Sequence, residues 1–184
     1  MAQIFWGYLF LLLSFKINSI ELLPEFLGYF FIMKGAIFLS NKISKFAEVK
    51  TWAAGLSIIH LVLFVNRLFI GFYLGSTISY TVSVLLQGAF FYLTYLIIIA
   101  MKDLELSIGQ NLCIERLLPY FKIMIAVYAI LEFTNVALVR TFSSFVILPM
   151  LVLILIVAKF IYMMFFIITL YKANVIYESY IKSL

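Results

Sequence analysis

The chain has 184 residues, 66% of them hydrophobic and 11% charged, and its 13 Lys and Arg outnumber 8 Asp and Glu for a formal net charge of +5. At a mean hydropathy of +1.19 it holds more apolar side chain than one soluble core of this size encloses, which excludes an ordinary soluble domain. No basic surface with interleaved stacking aromatics lies outside the apolar stretches, which excludes nucleic acid as a partner.

Crossing the hydrocarbon takes about 20 apolar helical residues. Six segments qualify: 3–15, 24–39, 52–73, 79–101, 119–139 and 146–171. The first is short. It has no basic n-region and no small-x-small cleavage site, so it reads as a retained helix rather than a signal peptide. The linker "KINSIELLPE" carries Lys16, Asn18, Glu21, Pro24 and Glu25 and needs water or protein partners. Either the first span extends into it or the linker dips back as a re-entrant turn.

Prolines stand near helix starts, where the missing N–H costs least. If the last helix starts at Ser144, a good N-cap, then Pro149 falls inside it and kinks it. Trp6, Trp52, Tyr73, Tyr80 and Tyr171 lie near span ends, where amphipathic rings favour the interface. The connection "KDLELSIGQNLCIERL" sets Leu104, Ile108 and Leu112 four apart, the pattern of a short interfacial helix. Lys34 and Lys122 are near enough to the ends to snorkel. "LLPEF" (22–26) and "LLPYF" (117–121) open the second and fifth spans, a weak sign of two inverted halves.

Loop charge sets orientation. Lys42, Lys45 and Lys50 share one connection, Lys102 and Arg116 another, and Lys172 and Lys182 lie in the tail, whereas the alternate connections carry Lys16 and Arg140. Six spans with this alternation place both termini in the cytoplasm.

Trp6, Gly7, Asn18, Leu23, Pro24, Glu25, Phe26, Gly28 and Tyr29 form a Trp-Gly, Asn-containing turn, Leu-Pro-acidic-Phe-x-Gly-Tyr pattern. It resembles the N-terminal signature of a family of small polytopic membrane proteins of Gram-positive bacteria to which no activity is assigned. The resemblance covers about the first forty residues. It implies a bacterial origin and the plasma membrane, and it carries over no catalytic residue.

Lys159 interrupts the longest apolar run. It lies roughly 18 Å from the cytoplasmic end of its span, where an unpaired charge costs about 2.5 to 3.5 kcal/mol. Glu132, at similar depth on the preceding antiparallel span, is the expected partner. Arg67 competes for that carboxylate or reaches the outer headgroups. His60, seven residues before Arg67, together with Gln87 and Asn135, completes a polar set at common depth. These residues are the candidate ligand-binding set, in a midplane cavity of the kind transporters use. The competing interpretation is polar glue that fixes helix register. The segment also contains Gly71 and Gly75, a close-packing step within the chain or between two copies.

Catalysis lacks its parts. Cys113 and His60 are each the sole residue of their kind and Asp103 is the sole aspartate, so there is no disulfide, no Cys/His metal set, no His pair and no aspartate pair. No Gly-rich phosphate loop occurs. Cys113 falls in a cytoplasmic loop, away from His60.

The expectation is therefore an all-α polytopic bundle of six transmembrane helices in a bacterial plasma membrane. It is not an enzyme and needs no cofactor or metal. It binds or helps transport a small solute, or, as the alternative, serves as an accessory or scaffold subunit. Its partners are the lipid bilayer and possible membrane proteins or a second copy.

Overall fold

The computed structural model describes residues 1–12, 16–17, 20–21, 24–70, 75–138 and 147–183. They form six helices: α1 (Ala2–Leu12), α2 (Glu25–Ser40), α3 (Lys45–Val65), α4 (Ser76–Ile108), α5 (Leu117–Leu138) and α6 (Ile147–Lys182). α3 continues into a π-helical turn, Asn66–Ile70, and a 3-10 turn, Ile114–Arg116, leads into α5. Between α1 and α2, the short strands β1 (Lys16–Ile17) and β2 (Ile20–Glu21) pair antiparallel, with Lys16 opposite Glu21. The linker thus folds back on itself as a ribbon.

Four helical segments, Lys45–Phe69, Thr77–Ile108, Ile114–Thr134 and Met150–Lys182, are long and apolar enough to cross a membrane. α1 and α2 have 11 and 16 residues. At about 1.5 Å per residue, both are shorter than a bilayer core of about 30 Å. α4 and α6 err the other way, at 33 and 36 residues.

The excess length of α4 corrects one expectation. "KDLELSI" is not a separate interfacial helix but the last turns of α4, and Leu104 and Leu112 are fully buried. Leu104 belongs to the buried face of α4, and Leu112 lies in the turn that follows the helix. Gly109 closes α4 in the left-handed conformation (φ 66°), its N–H donating to the Glu105 carbonyl. The Glu105 carboxylate then accepts the N–H groups of Leu112 (2.9 Å) and Ile114 (3.3 Å), so the tight turn into α5 has no orphaned donor there.

Pro149 lies in the first turn of α6 as described, where no intrahelical N–H is needed. Ser144, the N-cap expected for it, lies outside the described residues, as do Asn18, Leu23, Gly71, Tyr73 and Arg140.

Each helix packs on its neighbours in sequence, and α1 returns to α6, so the six close into a ring. Tyr8 of α1 fills the centre. It is fully buried, its hydroxyl donates to Thr94 Oγ1 on α4 at 2.9 Å, and its ring meets Phe90 and Phe166 edge-on. α1 and α2 approach backbone to backbone. A methyl group on Gly28 would lie 2.9 Å from the Gly7 carbonyl oxygen, and one on Gly7 would lie 2.7 Å from the Gly28 carbonyl.

Met1 and Gln3, Asn41 after α2, and Tyr177 and Glu178 of α6 line one groove of about 680 Å³. The start of the chain and the last turns of α6 therefore share an end of the bundle. Lys42 stands 5.4 Å from the Tyr177 ring there, and Lys45 pairs with Asp103 at 2.9 Å. Packing is tightest toward this basic end: Leu39, Phe46, Val49, Met101, Leu104 and Leu117 are fully buried. Toward the other end Val62, Leu85, Phe133 and Ile154 are more than half exposed, and only 11% of the most apolar stretch of α3 and of α6 is enclosed.

The glycine contact yields a prediction. Gly28→Ala should lower stability in detergent by about 2 kcal/mol, because a rigid backbone stands in the way. Gly55→Ala, where an added Cβ meets nothing within 4 Å, should be neutral or stabilising. Thermal unfolding of the two variants side by side checks this.

Candidate functional site

On α5, Tyr128 and Glu132 lie one turn apart and share a face. α4 brings Tyr80 to that face. The Tyr80 hydroxyl donates to Glu132 Oε2 at 2.7 Å, and the Tyr128 hydroxyl lies beside the same carboxylate. From α6, the half-buried Lys159 points its ammonium at the Tyr128 ring, 5.4 Å from the centroid. Phe91 of α4 packs edge-on against the other side of this group, 5.3 Å from Tyr128. Four side chains from three helices thus form one polar patch in the loosely packed part of the bundle.

The direct contact expected between Lys159 and Glu132 is not made. The carboxylate is bonded by a tyrosine hydroxyl, and the ammonium sits on a ring face, with Glu132 as its electrostatic neighbour. A phenol ring offers a cation its negative face without demanding ion-pair geometry. A phenol hydroxyl offers a carboxylate a donor without adding charge.

His60 belongs to a different interface. Its Nδ1 lies 2.8 Å from Glu25 Oε2 at the start of α2. Neither α2 nor α3 packs on α5 or α6, so His60 shares no helix interface with Glu132 and Lys159. Arg67 stands in the π-helical turn beyond α3 at an exposed position. Gln87 is half-buried on α4, two turns from Tyr80. The side chain of Asn135 lies outside the described residues. Among the described residues, no three His, Cys, Asp or Glu side chains cluster as metal ligands.

Three partners escaped the sequence reading. Tyr80 reads as an interfacial ring, and Glu25 reads as part of a polar linker. Tyr128 carried a usable signal, since it lies four residues before Glu132 and so on the same face of a helix.

No protein-family model matches the chain, and no curated protein or solved structure matches it.

A double-mutant cycle tests the patch. Glu132→Gln and Lys159→Met should each lower stability in detergent. The double variant should lose less than the sum of the two, by about 0.5 to 1 kcal/mol. Strictly additive losses in a denaturation series would show that the two charges do not sense one another.

Proposed function

We propose that this chain is a non-catalytic multi-pass protein of a bacterial plasma membrane that binds, or helps to move, a small solute bearing an ammonium group. The supporting observation is the Lys159 ammonium resting on the Tyr128 ring beside a carboxylate already bonded by Tyr80. An acid flanked by aromatic faces suits an organic cation, and the chain's own lysine occupies the position such a cation would take. Glu132, Tyr80 and Tyr128 are the binding groups, and Lys159 is the tethered competitor. Gln87 and Asn135 flank this site on α4 and α5, and Arg67 and His60 stand apart from it on the α3 side.

In this proposal all six helical segments belong to the membrane domain, with α1 and α2 completing their crossings through the ribbon residues. The basic end faces the cytoplasm. Lys42, Lys45, Lys50, Lys102, Arg116, Lys172 and Lys182 favour that orientation. The N-terminal resemblance to membrane proteins of Gram-positive bacteria supports the compartment.

Binding of labelled tetramethylammonium to the purified chain in nanodiscs tests the proposal. Lys159→Met should tighten binding by about tenfold, and Glu132→Gln should weaken it by at least as much, each tenfold step being about 1.4 kcal/mol. Equal binding in wild type and Glu132→Gln would reject the site.

A second reading draws on the open faces of α3 and α6, of which 11% of the most apolar stretch is enclosed. They suit an accessory subunit whose partner helices, or a second copy, cover them. That reading expects a stoichiometric membrane protein to co-purify from native membranes, and expects Glu132→Gln combined with Lys159→Met to leave function intact.

A further inference from the structure

The first turn of α2 is fastened to α3 at two points. Ser57 Oγ donates to the Phe26 carbonyl at 3.0 Å. Three residues on, His60 Nδ1 meets Glu25 Oε2 at 2.8 Å. The Tyr29 ring, one turn along α2, covers the imidazole with centroids 4.8 Å apart. Only 12% of the His60 side chain is exposed, and its Nε2 is enclosed with no hydrogen-bond partner among the described residues. Glu25 keeps 30% exposure at the end of α2 remote from the basic end.

In this geometry the two nitrogens have different tasks. The carboxylate holds a hydrogen on Nδ1, which fixes the tautomer and leaves the Nε2 lone pair unclaimed. Burial of such a nitrogen without a partner is costly for a site that only packs, whereas a nitrogen awaiting a proton must be left open. In the unprotonated pair the net charge is −1. A proton added at Nε2 forms one N–H bond, releases water from the hydronium that delivers it, and leaves the Nδ1–H bond to Glu25 in place. The pair then has no net charge.

We propose that Glu25 and His60 form a proton-binding site in the α2–α3 interface, separate from the ammonium site and independent of it. Of the other titratable or charged groups on the two helices, Lys34, Lys45, Glu48 and Lys50 lie toward the basic end. Tyr29 comes from α2, with Tyr8 of α1 beside it. Arg67 lies seven residues on from His60, in the π-helical turn beyond α3. Tyr92 of α4 packs on Trp52 of α3. None is a second imidazole, and His60 is the sole histidine of the chain.

That single histidine makes the test direct. The full chain, labelled with nitrogen-15 histidine and held in nanodiscs, gives one imidazole signal. From about pH 8 to about pH 5, the range in which histidine acts as a switch, the expected change is from an imidazole protonated at Nδ1 alone to one protonated at both nitrogens. In Glu25→Met, with folding checked by circular dichroism and elution volume, the Nδ1–H tautomer should be lost in favour of Nε2–H. A wild-type imidazole that keeps one protonation state throughout, or that carries its hydrogen on Nε2 at the alkaline end, overturns the proposal without any variant. So does a Glu25→Met protein with the wild-type tautomer and titration curve.

Discussion

The approach of α1 to α2 through Gly7 and Gly28 is the contact on which the remaining architecture depends. Helices in lipid gain nothing from hiding apolar surface from one another, so association rests on close van der Waals contact and interhelical hydrogen bonds. Two facing glycines permit that contact at the backbone itself. With α1 seated, its opposite face reaches α4 through the Tyr8 to Thr94 hydrogen bond and α6 through Phe5 against Tyr171 and Tyr8 against Phe166. A helix of 11 residues thereby closes a ring whose other members touch only their neighbours in sequence.

Closure tightens one end more than the other. Near the basic end, the Glu105 carboxylate gathers the backbone of the turn before α5, and side chains such as Phe46, Met101 and Leu112 have no exposed surface. Away from it the long helices present apolar side chains outward, where lipid is as good a solvent as protein. The polar patch on α4, α5 and α6 and the Glu25–His60 pair both stand toward this looser region. A site that admits a solute or a proton needs such local freedom, because opening costs least where few packed contacts are lost.

The two acids of these sites are handled in different ways. Glu132 is bonded by a neutral phenol, and its nearby cation is spread over a ring face. Glu25 meets an imidazole that can be neutral or charged.

The hydropathy of the chain sufficed to indicate a helical membrane protein and to locate six helices, since a run of about 20 apolar residues has few other uses, but not their ends: α3 starts at Lys45 rather than residue 52, and α6 runs to Lys182 rather than residue 171. It also sufficed to put Glu132 and Lys159 at one depth, because helix rise converts residue number into distance. Rise says nothing about azimuth. Whether Lys159 met a carboxylate or a ring depended on how α5 and α6 rotate against each other, and whether His60 joined Glu132 depended on which helices are neighbours in the ring. Glu25 became a functional candidate only through the packing of the start of α2 on α3, where it meets His60 and the Phe26 carbonyl accepts from Ser57. Depth is a property of one helix and is written in its sequence. Partnership is a property of two, and only their packing against each other decides it.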